Sequence, residues 1–324
     1  MSVTPTARLA ATLIAAVALL SGCGSGSNEP ADGATPAAPS AIAAETASFD
    51  LAAGVDQRYL LGLFATEGGS IIDGTITLDF ETVDDGDPMT IDDVEATYVP
   101  VAGFDQRSPS DTPHVAEPGE GTGAYQADAV TFWRPGNWQV TATVDIDGET
   151  VRTTDAFEVL TERIVPGPGD PAPRSTNRLP GEAGVEPTAI DSRAVDGQVP
   201  DPELHAITVA DSIDSGQPTM VVVSTPTYCV SRFCGPITDT IDELRESYSE
   251  WVNFVHLEVW DDYEASVVTK AAAEWIFPDG PDGGGGNEPW VFLIDRNGVV
   301  TQRWDNVTNE TQLRAALDTL DTPS

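Results

Sequence analysis

Two cysteines, Cys229 and Cys234, are separated by four residues and lie between a hydrophobic run at residues 220–223 and a stretch with helical periodicity that begins near Pro236. The chain contains three cysteines in all, and the third, Cys23, lies near the N-terminus. Backbone N–H groups and the dipole at the start of a helix favour a thiolate over a thiol. We therefore expect any chemistry of this chain at the Cys229–Cys234 pair, as exchange between a dithiol and a disulfide.

The N-terminus has the pattern of an export signal. Arg8 precedes an apolar stretch at residues 9–20, which is too short to span a bilayer comfortably. The stretch leads into Leu-Ser-Gly-Cys at residues 20–23, which resembles the lipobox of bacterial lipoproteins. The resemblance implies a signal peptide at residues 1–22, acylation of Cys23, and an extracytoplasmic protein anchored by lipid to the cell membrane. An ordinary signal peptide or an uncleaved anchor is the alternative.

Composition restricts the partners of the exported chain. Residues 23–46 are mainly Ser, Gly, Pro, Ala and acidic residues, which predict a flexible tether. The formal net charge is −38, because 53 acidic residues stand against 15 basic ones. A surface this acidic argues against nucleic acid as a partner, since DNA and RNA bind to basic patches. Export also allows a disulfide to form and persist.

Residues 47–160 predict an all-β domain, because six or seven short runs with alternating or β-branched residues are separated by turn signals. This pattern favours an immunoglobulin-like sandwich. The segment also resembles the YtkA/FixH-like sandwich modules of exported bacterial proteins at residues 58–63, 123–125 and 136–140. A copper role is suspected for such modules. The candidate ligands here are His114 and Met89, both in predicted loops, and we assign no metal.

A Pro-rich linker is predicted at residues 161–187, followed at residues 188–324 by alternating strand and helix patterns that favour an α/β domain. Two short motifs in this domain are Phe-Cys-Gly-Pro at residues 233–236 and Glu-Pro-Trp at residues 288–290. The first is similar to the Trp-Cys-Gly-Pro-Cys of thioredoxin, and the second is similar to the X-Pro-Thr that precedes a strand in that family. The domain therefore resembles the thioredoxin fold. The lead-in at residues 169–173 is similar to TlpA-like and peroxiredoxin-like members. The expected fold class is an immunoglobulin-like sandwich followed by an α/β thioredoxin-like domain.

The thioredoxin resemblance implies roles for individual residues. Pro289 corresponds to the family's cis-proline, which faces the active cysteines and helps to hold a partner's backbone. Tyr228 and Phe233, next to the cysteines, are the other expected partner-binding residues. The local motif places Cys234 at the helix start, and we favour it as the attacking sulfur with Cys229 as its partner. Counting from the strand end instead places Cys229 nearer to the family's exposed nucleophile position.

The sequence departs from thioredoxin in two ways. Ile237 replaces the second cysteine of the family motif, so the second sulfur must come from Cys229, upstream. The strand at residues 220–224 also lacks the family's buried aspartate. Alternation places Glu258 near the C-terminal end of a neighbouring strand, where ligands gather in open α/β sheets. Glu258 is therefore a candidate proton acceptor, and a surface charge at a strand end is the alternative.

Three functions are open on the sequence alone. The first is thiol–disulfide exchange with thiols or disulfides of other exported proteins, which needs no bound cofactor. The second is a permanent disulfide staple in a domain that only binds a partner. The third is a copper carrier similar to the SCO family, which uses Cys-x-x-x-Cys and a distant histidine. The spacing in that family is one residue shorter than here. The available histidine is His256, which we interpret as a core residue. The location of the cysteine pair favours exchange, so a thiol–disulfide oxidoreductase is the leading hypothesis.

Overall fold

The computed structural model describes residues 41–320, apart from residues 85, 105–106, 147, 279 and 281–285. The signal peptide, Cys23 and most of the predicted tether therefore lie outside the described residues. The end of the tether differs from the prediction, because Ile42–Thr46 form a strand in which the Ile42 side chain is buried. An apolar side chain at this position is what allows the chain to join the core here.

The N-terminal part of the described chain consists of strands. They are β1 (Ile42–Thr46), β2 (Asp56–Ala65), β3 (Ile71–Ile72), β4 (Thr75–Thr82), β5 (Thr90–Pro100), β6 (His114–Val115), β7 (Gly123–Thr131), β8 (Gly136–Ile146) and β9 (Glu149–Val159). In β4, the buried residues Ile76, Leu78 and Phe80 alternate with more exposed ones. This period of two is that of a strand with one face against the core.

Seven of these strands form one antiparallel sheet in the order β1-β2-β7-β5-β4-β8-β9. Its two edge strands, β1 and β9, contact each other, and the backbone N–H of Thr46 donates to Asp155 Oδ2 at 2.7 Å. The sheet is therefore curled until it is nearly closed. Its interior is filled by buried aromatic side chains from several strands and loops, namely Tyr59, Phe80, Phe132, Trp138 and Phe157.

The C-terminal part alternates short helices with strands. Two 3-10 helices (Pro187–Ala189 and Pro202–His205) are followed by α1 (Val209–Asp214), β10 (Thr219–Ser224), α2 (Cys234–Tyr248), β11 (Asn253–Glu258), β12 (Trp260–Asp262), β13 (Val267–Val268), α3 (Lys270–Ile276), β14 (Trp290–Ile294), β15 (Val300–Asp305) and α4 (Glu310–Asp318). Thr208, Thr269 and Asn309 cap α1, α3 and α4 by accepting a backbone N–H with their side chains. In the part of the chain that the structure describes, every helix is too short or too polar to cross a membrane.

Four of the C-terminal strands form a second sheet in the order β11-β10-β14-β15. The β10–β11 pair is parallel and the other pairs are antiparallel. Every residue of β10 is buried, because helices cover both faces of the sheet. Val222 packs in a cluster with Ile237 of α2 and Leu313 of α4, whereas Val223 packs on the other face with Trp275 of α3.

The two parts of the chain pack against each other. Leu60 of β2 and Ala124 of β7 lie in the same hydrophobic cluster as Ile237 of α2. A buried ion pair adds a polar link, because Arg303 Nη1 of β15 donates to Asp50 Oδ2 at 2.6 Å. The described residues from 41 to 320 consequently belong to one compact unit.

The predicted fold class is wrong. Strands account for 39% and helices for 16% of the structure, and seven of the nine N-terminal strands form one nearly closed sheet instead of the two facing sheets of a sandwich. No separate thioredoxin-like α/β domain is evident among the described residues: four helices and a four-stranded sheet share a core with the N-terminal sheet. Strand patterns in a sequence do not determine whether strands close into one curved sheet or divide into two, since that depends on long-range packing.

The predicted linker at residues 161–187 is packed and not free. Val165 and Ala172 are buried in the core of the C-terminal part. The backbone N–H of Gly169 donates to the carbonyl of Val300 at 2.9 Å, and the N–H of Val300 donates to the carbonyl of Asp170 at 2.9 Å. The prolines of this segment fix its backbone but leave these hydrogen bonds possible, so the segment lies along the edge strand β15.

Candidate redox site

The cysteine pair lies in the connection between β10 and α2, as the sequence predicts. The carbonyl of Thr225, directly after β10, accepts hydrogen bonds from the N–H groups of Tyr228 (3.2 Å) and Cys229 (3.0 Å). These bonds form a turn that brings Cys229 back towards the start of α2. Cys234 is the first residue of that helix. The two cysteines form a disulfide with a Cα–Cα distance of 6.0 Å, which is within the usual range.

The two sulfur-bearing residues differ in exposure. Cys229 is 9% exposed, whereas Cys234 is 0% exposed. Cys229 Sγ also lies 3.3 Å from the hydroxyl of Ser231. A molecule that approaches from solvent therefore reaches Cys229 first. This burial disfavours Cys234 as the sulfur that meets a partner, although its position at the start of α2 is the predicted one.

A third group at the disulfide is Glu288. One of its carboxylate oxygens and the sulfurs of Cys229 and Cys234 all lie within 4.8 Å of one another. Burial, and then the nearby charge of Glu258, raise the pKa of Glu288 to about 7. The carboxyl group therefore exchanges its proton near neutral pH, at the atoms where a thiol would gain or lose one.

The peptide bond between Glu288 and Pro289 is cis, which agrees with the expectation for Pro289. Pro289 is buried and directly precedes β14. In the sequence, Glu288 stands out only as the residue before this proline. This position could have identified Glu288 as a site residue. If Pro289 faces the cysteines, as the motif predicts, then the residue before it is expected to lie near them as well.

Glu258 was predicted to lie near the cysteines as a proton acceptor, but it is buried and bonded to other residues. It is 3% exposed, and its carboxylate accepts hydrogen bonds from the backbone N–H groups of Ser192 (2.8 Å) and Trp260 (3.2 Å). Burial raises the pKa of Glu258. Among the described residues, the acid grouped with the two sulfurs is Glu288, so Glu258 influences the site through its charge.

Aromatic side chains border the disulfide loop on two sides. Tyr228 is partly buried and stacks on Tyr263, with ring centroids 4.0 Å apart and an interplanar angle of 1°. Phe233 lines an apolar pocket of about 310 Å³ together with Phe64 and Val307. The pocket also reaches Ser231 in the disulfide loop. Tyr228 and Phe233, two of the three residues predicted to bind a partner, thus lie at surfaces next to the disulfide.

Two groups of side chains in the described part of the chain have atoms close enough to hold a metal ion. One consists of Cys229, Cys234 and Glu288, which could bind a metal only after reduction of the disulfide. The other consists of Asp191, His205 and His256. His256 therefore belongs to a different group from the sulfurs, which disfavours the SCO-like arrangement of two cysteines and a histidine.

Comparison with known proteins gives no name to this site. No protein-family model matches the chain, and no curated protein is significantly similar to it. The functional argument therefore depends on the chemistry of the disulfide and its neighbours.

Proposed function

We propose that this protein exchanges thiols and disulfides with other exported proteins through the Cys229–Cys234 pair. The observation that supports the proposal best is the position of Glu288, within 4.8 Å of both sulfurs. Its pKa is raised to about 7, chiefly by burial. A purely structural disulfide has no use for a group that exchanges protons, whereas exchange must supply and remove a proton as each sulfur leaves or attacks.

The first step begins at the more exposed sulfur. A thiolate of the partner attacks Cys229 Sγ, a mixed disulfide forms, and the bond between the two cysteines breaks. Cys234 leaves with the electron pair as a thiolate at the start of α2, where the N–H groups of the helix stabilise negative charge. Glu288 in its protonated form then donates its proton to this thiolate. This order makes Cys229 the exchanging sulfur and Cys234 the leaving group, which reverses the assignment favoured on sequence alone.

The second step resolves the mixed disulfide. A second thiol of the partner loses its proton to the Glu288 carboxylate and attacks the partner's own sulfur in the mixed disulfide. Cys229 leaves as a thiolate and is protonated. The partner's two thiols have become a disulfide, and the Cys229–Cys234 disulfide has become a dithiol. The same steps in reverse reduce a partner disulfide.

The partner class follows from location and surface. The lipobox-like motif at residues 20–23 supports lipid anchoring through Cys23 on the outer side of the cell membrane, where disulfides persist. The apolar pocket beside Phe233 suits an apolar side chain next to the partner's cysteine. The chain's net charge of −38 favours partners that are neutral or basic around that cysteine.

Trapping the mixed disulfide tests this proposal. In the full chain carrying Cys23→Ser, a further Cys234→Ala substitution leaves Cys229 as the only thiol. We expect this variant to form a stable mixed disulfide with oxidised glutathione at neutral pH, because no second sulfur remains to resolve it. The matched variant Cys229→Ala, which leaves the buried Cys234, should react at least tenfold more slowly. Mass spectrometry of the intact proteins measures both.

A different outcome would favour the structural staple. If neither single-cysteine variant reacts with oxidised glutathione while both remain folded by circular dichroism, the pair is sealed from partners. The proposal also fails if Cys234 reacts faster than Cys229, since the order of steps depends on the exposure of Cys229.

A further inference from the structure

Three side chains that commonly bind transition metals converge away from the cysteines. Asp191 Oδ2 lies 3.4 Å from His205 Nε2 and 3.4 Å from His256 Nδ1. All three side chains are 0% exposed. They come from three separate segments, namely the loop after the first 3-10 helix, the second 3-10 helix, and β11. Such convergence of ligand-type groups in a protein interior calls for a physical reason.

Three of the four histidine nitrogens in this cluster lack a hydrogen-bond partner among the described residues. Both Nδ1 and Nε2 of His205, and Nδ1 of His256, are buried without one. Buried polar atoms in folded proteins are rarely left unsatisfied. The contacts at 3.4 Å place His205 Nε2 and His256 Nδ1 against Asp191 Oδ2. An ion between them would satisfy His205 Nε2, His256 Nδ1 and the Asp191 carboxylate.

The second nitrogen of His256 indicates which nitrogen is free to bind. His256 Nε2 lies 3.0 Å from Ser224 Oγ and 3.2 Å from the backbone carbonyl oxygen of Ser224. A carbonyl oxygen only accepts, so a hydrogen bond to it places the hydrogen on Nε2. In the neutral imidazole, the Nδ1 lone pair then faces the Asp191 carboxylate, and a cation between the two groups removes their repulsion. A second ring nitrogen fixed by a backbone carbonyl is also typical of metal-binding histidines.

The distances fit a tetrahedral ion. Two ligand atoms at about 2.1 Å from a zinc ion, separated by a tetrahedral angle, lie about 3.4 Å apart. The measured distances from Asp191 Oδ2 to the two histidine nitrogens are both 3.4 Å. A cavity of about 70 Å³ lined by His256, Ile190 and Glu258 adjoins the cluster. The cavity has room for a water molecule beside the cluster.

The charges around the cluster also favour a divalent cation. Arg193 donates to both oxygens of Asp191 and pairs with Asp201 and Asp239. Three carboxylates against one guanidinium leave a formal charge of −2, which a divalent ion balances.

We propose that Asp191, His205 and His256 bind one divalent transition-metal ion, with Zn²⁺ as the best match, and that this ion fixes the segment beside the disulfide loop. Ser192, next to Asp191, accepts the N–H of Thr227 with its hydroxyl oxygen at 3.1 Å. Thr227 lies two residues before Cys229. The site is therefore distinct from the cysteines but supports the loop that carries them.

The test uses the full chain with Cys23→Ser and an intact Cys229–Cys234 disulfide, so that no thiol can bind metal. The protein is treated with a chelator, transferred to buffer without it, and titrated with ZnCl₂ by calorimetry. We expect one ion per chain, and a loss of affinity of at least tenfold in His205→Gln and in His256→Gln. His114→Gln is the matched control, because His114 lies on the surface beside Glu120, and this variant should bind as the parent does.

A second measurement does not depend on the variants folding. Co²⁺ added to the chelator-treated Cys23→Ser chain, with both histidines intact, should give the visible absorption of a tetrahedral complex, and one equivalent of Zn²⁺ should remove it. The proposal is overturned if the parent chain binds neither ion, or if His205→Gln and His256→Gln bind Zn²⁺ as tightly as His114→Gln does. Equal affinity in the three variants would mean that Zn²⁺ binds to acidic residues on the surface and not to the histidines.

Discussion

A carboxylate oxygen of Glu288 lies within 4.8 Å of the sulfur of Cys234. Cys234 is buried at the start of α2, so water has little access to this sulfur when it leaves the disulfide. The carboxyl group is then the nearest described acid to protonate it. This relationship makes Glu288 the residue whose substitution distinguishes an exchange site from a structural disulfide most clearly.

Glu288→Gln should slow reduction of the disulfide by glutathione. The amide cannot donate a proton to Cys234 as it leaves, and general acid catalysis of this kind contributes about 100-fold or more. Because the pKa of Glu288 is about 7, the advantage of the parent over the variant should be largest below that pH and should decline above it. Stopped-flow measurement of the rate ratio across this range checks the prediction.

The control for this rate is Glu250→Gln, at an exposed acid after α2. Its rate should equal that of the parent at every pH. A rate ratio for Glu288→Gln that stays near one, or that does not change with pH, would contradict proton donation by Glu288.

Glu288→Gln should also change how the free energy of unfolding depends on pH. A salt-bridged acid stabilises the folded state at high pH, whereas Glu288 stabilises it at low pH. The pKa of Glu288 is about 7 when folded and about 4.3 in an unfolded chain. The folded state therefore binds the proton more tightly, and this stabilisation is lost as pH rises through about 7. Relative to the parent, Glu288→Gln should gain roughly 1–3 kcal/mol in the free energy of unfolding between about pH 5 and about pH 8. Urea unfolding at the two pH values measures the gain, and identical pH dependence of the two proteins would contradict it.

Arg303→Met should destabilise the contact between the two parts of the chain. Arg303 is paired with Asp50, and their side chains are 12% and 2% exposed. Removal of the guanidinium leaves Asp50 buried without its cation, which costs about 3 kcal/mol. Arg152→Met is the matched control, since the Arg152–Asp79 pair is exposed on the surface and should contribute less than about 1 kcal/mol. Equal losses in urea unfolding would mean that the buried pair contributes no more than the surface pair.

Leu60→Ala should weaken the shared core. Leu60 belongs to β2 but is fully buried in the cluster that contains Ile237 of α2. Its truncation leaves a cavity between the two parts and should cost about 2–5 kcal/mol. Val83→Ala, at a side chain that is 51% exposed, should cost less than about 0.5 kcal/mol. If Leu60→Ala costs as little as the control in urea unfolding, the two parts do not stabilise each other.

Local patterns in the sequence were sufficient to place the disulfide. A buried run predicted β10, helical periodicity predicted α2, and the two cysteines between them are bonded as their spacing allows. The cis bond before Pro289 followed from the resemblance of a short motif. Each of these features depends on a few neighbouring residues, which is why sequence patterns can report them.

Features that depend on distant contacts were missed. The alternation around Glu258 gave its face of the strand but not its burial, which comes from the segment around Ser192. His205 lies in a 3-10 helix of four residues, which is too short to have a periodic pattern. The nearly closed sheet depends on contact between β1 and β9, more than a hundred residues apart. Nothing in either strand alone predicts that contact.

The reduction potential of the Cys229–Cys234 pair tests the central claim most directly. Equilibration of the full chain carrying Cys23→Ser with glutathione redox buffers, followed by quantification of free thiols, measures it. Exchange predicts a potential between about −270 and −120 mV, the range of proteins that trade disulfides with partners. A potential below about −300 mV, typical of disulfides that resist reduction, would contradict the claim and leave the bond as a structural staple.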